Sequence, residues 1–198
     1  MQNSILNPVD RRSAEALMDA GLALMVEGRP RVADIVAAAG SSNDAFYRCF
    51  GSKDALVEAI VERGARAVVE QVRRCVARAA DDGPEAQLRA GLGALVRQAS
   101  DAGQARRIRA VLANGHGGQA TVVCLVDALA ALLAQPAAEL GAADPLRTAR
   151  TVAGSVVSAL QYWLFTEEVP GPAEVEHLVG FLLAGVRAPR VRAARAPL

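Results

Sequence analysis

Apolar residues recur at helical spacing along most of this chain, and the breaks between the apolar stretches fall at Gly, Pro, Asn and Asp. Val32, Ile35, Val36 and Ala39 keep the i, i+3, i+4, i+7 spacing of a short amphipathic helix, and Gly40 follows where a left-handed stop costs least. A second short helix starts almost at once. Ser41 or Ser42 caps it, Phe46 and Phe50 share one face, and Asp44, Tyr47 and Arg48 point the other way, with Asn43 in the exposed first turn. Two short helices around a Gly-containing turn read as a helix-turn-helix.

The flanking pattern is helical as well. Asn7-Pro8 is an N-cap followed by a first-turn proline, opening a helix that runs to Glu27, stops at Gly28 and buries Leu17, Gly21, Leu24 and Met25. Ser52 caps a long helix carrying Leu56, Val57, Ile60, Val61, Val68, Val72 and Val76 to about Ala80, where Asp81-Asp82-Gly83-Pro84 breaks it. At 1.5 Å per residue such a helix is about 40 Å long. Segments 84–100, 104–113 and 119–135 read as three more helices between glycine-rich breaks. Asp144-Pro145 opens a helix to Glu167, and Gly171-Pro172 opens the last one, to Arg187. The fold class is therefore all-α. The boundary falls inside the long helix near Arg63-Gly64, giving a helix-turn-helix domain over 1–62, a second helical domain over 63–187 and a basic tail over 188–198 with too little apolar periodicity to pack.

Composition supports helices and narrows the chemistry. The chain is 52% hydrophobic, rich in Ala, Val and Leu and poor in aromatics, and its formal net charge is only +1. Nucleic-acid binding, if present, rests on placed contacts and not on a global basic field. Cysteines 49, 75 and 124 are odd in number and widely separated, which fits reduced thiols in a cytoplasm. The N-terminus has no apolar signal-like run, and the apolar stretches 121–134 and 152–165 fall short of a membrane span. No nucleophile elbow, metalloprotease, phosphate-loop or dinucleotide motif occurs, so neither an enzyme nor a cofactor is expected. His116 and His177 are the only histidines, and they lack the close-spaced partners of a metal site. Cys49 reads as a small filler in preference to a redox switch.

The free face of the second short helix is where function concentrates. A phenol, a guanidinium and an amide there suit phosphate and base-edge contacts, and Lys53 adds a full charge to the positive end of the long helix. The plainer alternative is a helical hairpin with a solvated polar face. Arg11 and Arg12 could likewise reach a phosphate or simply be hydrated.

From Ala14 to Glu62, the segments ALMDAGLALMVEG, VADIVAAAG and FYRCFGSKDALVEAI resemble the DNA-binding domain of the tetracycline-repressor (TetR) family, matching its pattern at Gly40, Ser42, Tyr47, Arg48, Phe50, Gly51, Ser52 and Lys53. The resemblance implies a dimeric, all-helical, ligand-responsive transcriptional regulator whose DNA-facing residues are Ser42, Asn43, Asp44, Ala45, Tyr47, Arg48 and Lys53. Its partners would be a palindromic double-stranded operator, a small mostly apolar effector and a second copy of the chain. The chain departs from the family pattern where Asn43, Asp44 and Ala45 replace Lys, Gly and Thr, and where Cys49 replaces His. The loop from Gly28 to Arg31 is also short and lacks the family's threonine at the helix start. Helices near 145–167 and 172–187 carry apolar stripes with small residues beside them, which suits a four-helix dimer interface. Asp127, Gln161, Tyr162 and Trp163 stand out as polar or aromatic groups in an Ala, Val and Leu background, the composition of an effector pocket. The alternative function is a helical small-molecule-binding or interaction module whose helix-turn-helix is structural.

Overall fold

A computed structural model describes residues 8–115 and 119–187, in which the regular elements are nine α-helices and a 3-10 turn. In order these are α1 (Pro8–Glu27), α2 (Val32–Ala38), α3 (Asn43–Cys49), α4 (Lys53–Arg78), the 3-10 turn Ala80–Asp82, α5 (Pro84–Ser100), α6 (Ala102–Asn114), α7 (Gln119–Glu139), α8 (Pro145–Thr166) and α9 (Pro172–Val186). Side-chain caps start several of them. Ser42 accepts from the amide of Ala45 at 3.2 Å, Ser52 from Ala55 at 3.1 Å, Asp101 from Gln104 at 2.8 Å and Asp144 from Arg147 at 3.1 Å. Gly40 and Gly51, with φ of +57° and +73°, occupy the left-handed region just past α2 and α3, where a side chain would be strained. The expected cap at Asn7, His116 and the tail 188–198 lie outside the described residues.

Two element boundaries differ from the sequence reading for local reasons. Helix α6 starts at Ala102 because Asp101 caps it, not at Gln104. Helix α7 passes through Pro136 to Glu139; Pro136 and Ala137 are both buried, and packing there offsets the hydrogen bond that proline cannot donate. The longer helix corrects the expectation that no apolar segment reaches membrane length. Within Ala120–Glu139 an 18-residue window reaches a mean hydropathy of 1.8, enough by length and composition to cross a bilayer, although 33% of that window is buried within the fold. It also carries Asp127, which accepts a hydrogen bond from Arg150 at 2.8 Å.

The helices form two compact units. The first contains residues up to Ala67 together with Asp101–Cys124, and the second contains Val68–Ser100 and the chain from Leu125 onward. The division in α4 thus falls a few residues beyond Arg63-Gly64, and α6 joins the helix-turn-helix. In the first unit Leu17, Met25, Ile35, Phe46 and Leu56 are buried in one core, and Val111 of α6 belongs to it. Gly21 lets α1 approach α4 closely: a Cβ there would lie 3.2 Å from Leu56 Cδ2. In the second unit α5 packs on both α8 and α9, burying Leu88, Leu92 and Leu95. Trp163 is buried as well, and its indole N–H donates to Glu174 at 2.9 Å.

Candidate nucleic-acid interface

Helix α3 has only seven residues, too few to hold helical form alone, so its shape depends on a cap and an anchor. Ser42 supplies the cap. Phe46 supplies the anchor: it is wholly buried and meets the Phe50 ring at 5.8 Å and the Tyr47 ring edge-on at 5.3 Å. With that side fixed, Ser42, Asn43, Asp44, Tyr47 and Arg48 are exposed. Ala45 is not among them. At 7% exposure its methyl lies in the core beside Phe46, which corrects its inclusion among the DNA-facing side chains; the position is one of packing.

Tyr47 keeps 56% of its surface in solvent while its ring rests on Phe46, so the phenol is held at a fixed place and its hydroxyl is free to meet a phosphate. Arg48 is partly committed. Its Nε donates to Asp10 of α1 at 3.0 Å, and the arginine side chain remains 57% exposed. Asp10 is nearly buried, so this pair ties α3 to the start of α1 as well as orienting the guanidinium. Cys49 donates to the Asp10 carbonyl oxygen at 3.6 Å. Burial pushes its thiol up from the ordinary value, the Asp10 carboxylate pushes the same way, and Arg48 opposes them. A thiol so placed is a poor nucleophile at neutral pH.

Lys53 opens α4, where unpaired amides and the helix dipole favour an anion. It is half-buried, and its ammonium donates to Asn114 Oδ1, at the end of α6, at 3.3 Å. Sequence reasoning found Lys53 but missed both partners of the interface cations. Those partners are Asp10 in the first turn of α1 and Asn114 at the end of α6. Neither carries a local signal for a contact so distant in sequence.

In the second unit the four effector-pocket candidates have different surroundings. Asp127 is exposed and ion-paired with Arg150, Gln161 and Tyr162 are exposed on α8, and Trp163 points inward to Glu174. A surface groove of about 290 Å³ in the same unit is lined by other residues, Cys75, Arg78, Ala79, Asp82, Ala90 and Arg97. Along α8 and α9, Tyr162, Phe165 and Phe181 are 56%, 89% and 70% exposed, an unusual amount of aromatic surface to leave in water.

Residues 17–60 match the family model for bacterial regulatory proteins of the tetR family. Among curated proteins none matches the chain in sequence. Solved structures resemble it over nearly its full length. A TetR-family transcriptional regulator from Pectobacterium atrosepticum has a TM-score of 0.70 at 22% identity, covering 93% of this chain and 100% of that one. A TetR-like regulator from Rhodococcus sp. RHA1 has a TM-score of 0.60 at 23% identity, with 89% and 97% covered. The TetR family repressor AlkX from a Dietzia strain, implicated in biodegradation of n-alkanes, has a TM-score of 0.57 at 17% identity, with 87% and 92% covered.

Proposed function

From an N-terminal domain that belongs to the tetR family of bacterial regulatory proteins, on a chain with the fold of TetR-family regulators, we propose a cytoplasmic transcriptional repressor that binds a palindromic operator as a homodimer and is released by a small, mostly apolar effector. The observation that carries this reading is the free face of α3. A seven-residue helix is pinned from beneath by Phe46, and Asn43, Asp44, Tyr47 and Arg48 are left outward, with Lys53 following at the positive end of α4.

In this reading Tyr47 and Lys53 take phosphates and set the register, while Asn43 reads a base edge. Asp44 repels phosphate but accepts from cytosine N4, so it selects by exclusion as well as by contact. One recognition helix per chain reads one half-site, and a two-fold dimer through α8 and α9 would bury the exposed Tyr162, Phe165 and Phe181 and present two helices to an inverted repeat. The effector would bind among the helices of the second unit, where Trp163 is the buried member of the four candidate side chains. Helix α4 has residues in both units, so an effector preferring one setting of that helix would change operator affinity by its differential affinity for the two states, typically about 1–3 kcal/mol.

Selection of fragmented genomic DNA on the purified chain tests the proposal. Enrichment of an inverted repeat is expected. Recovery no better than for sheared competitor DNA would favour a helical module whose helix-turn-helix is structural.

A further inference from the structure

The end of α6 is fitted to the start of α4 more closely than a linker needs to be. Asn114 Nδ2 donates to the carbonyl oxygens of Gly28 at 3.2 Å and Ala110 at 2.9 Å. With its amino group held by two acceptors, the amide is oriented, and its oxygen accepts from Lys53 Nζ at 3.3 Å. The next residue leaves no slack. A Cβ on Gly115 would lie 2.6 Å from Val57 Cγ1, one turn along α4 from Lys53, a distance at which something must shift. Two independent contacts therefore fix the last residues of α6 on the first turns of α4, within the same compact unit as the helix-turn-helix.

We propose that Asn114 is a positioning residue for DNA binding: it holds the Lys53 ammonium in place for a backbone phosphate. This rests on the reading of Lys53 as a phosphate contact. An ammonium has three N–H donors, of which Asn114 takes one, so two remain for phosphate oxygens. The acceptor is neutral, so the charge that displaces counterions is retained. Lysine is among the side chains that lose most rotamer freedom on being fixed, and a lysine already held by Asn114 gives up less of it on docking.

The experiment is a double-mutant cycle on the duplex recovered by selection on the wild-type chain, with affinity measured against salt concentration. Lys53→Ala should weaken binding and flatten the log–log salt slope by about one. Asn114→Ala should weaken binding about three- to tenfold with the slope nearly intact, the range expected for the net contribution of one ordinary hydrogen bond, because the ammonium itself stays in place to meet the phosphate. In the Lys53→Ala background, Asn114→Ala should then change nothing. Asn114→Asp keeps the oxygen but sets a carboxylate against the ammonium, so it should both weaken binding and flatten the slope. Thermal melting of each variant accompanies the cycle, and Asn114→Asp carries the test if Asn114→Ala does not fold. If Lys53→Ala leaves affinity and slope unchanged, the phosphate reading itself fails. If Lys53→Ala acts as expected while Asn114→Ala is silent, or weakens binding equally with and without Lys53, Asn114 is structural only and this proposal is overturned.

Discussion

Phe46→Ala asks the most of the recognition helix. The side chain has no exposed surface, and an aromatic ring of this kind buries roughly 150–250 Å², worth about 4–6 kcal/mol at about 25 cal/mol per Å². That is an upper figure, because unfolded chains already cover part of their apolar area. The rings of Tyr47 and Phe50, at 5.3 and 5.8 Å, also lose their partner. A loss of about 3–5 kcal/mol is therefore expected, the usual cost of Phe→Ala in a core and a large share of the roughly 5–15 kcal/mol that holds a domain together. The damage should be local first, since isolated helices below about 12–15 residues are marginal and α3 has only seven. Urea denaturation gives the magnitude, and hydrogen exchange resolved by segment gives the place. Amides of α3 should lose protection most, while α5 and α8 of the second unit keep theirs. A loss under about 1 kcal/mol, far below the cavity range for Phe→Ala, would refute the anchoring argument, as would equal deprotection in α8.

Other outcomes follow from single residues. Asp44→Asn should tighten binding to random-sequence DNA and reduce discrimination at one base pair by about 1–3 kcal/mol, measured by competition between selected and random duplexes; no change in either would mean that Asp44 points only into solvent. Cys124, which is exposed, should react with iodoacetamide well before Cys49 at neutral pH, because a thiol whose pKa is raised is thiolate only at higher pH; mass spectrometry of the labelled peptides reads the order, and faster labelling of Cys49 would contradict it. Replacing Phe165 and Phe181 together by Ser should shift the chain toward monomer in sedimentation equilibrium with little loss of helix, since both side chains are exposed within one chain, at 89% and 70%.

How much of this was legible in the sequence depended on whether the signal was local. Caps and breakers are local chemistry, so Ser42, Ser52, Gly83-Pro84 and Asp144-Pro145 placed helix ends that the structure reproduces within a residue or two. Helical periodicity separated Phe46 from Tyr47 and Arg48 correctly. It did not turn Ala45 inward, because a small residue beside an anchor fits either a packed or an open face, and only the three-dimensional neighbours decide. What escaped were contacts between distant segments. Asp10 meets Arg48 and Asn114 meets Lys53, across 38 and 61 residues. The same limit hid the membership of α6 in the first unit, since Val111 reads as part of a stripe whatever core receives it. The polar residues chosen for an effector pocket shared a composition and not a place: Gln161 and Tyr162 are exposed while Trp163, next on the same helix, is buried.

The central claim is that the exposed face of α3 reads DNA sequence, and the base-preference profile of Asn43→Ala tests it most directly. The duplex recovered with the wild-type chain is varied at each position, and relative affinities of wild type and variant are measured at one salt concentration. Asn43 is exposed in the first turn of α3, and the loss of its side-chain amide should relax preference by about 1–3 kcal/mol at a single base pair, repeated at the symmetric position of the other half-site, with phosphate-driven affinity for random DNA nearly unchanged. A profile identical to wild type, or a uniform weakening at every position and on random DNA alike, would contradict the assignment of α3 as the reading helix.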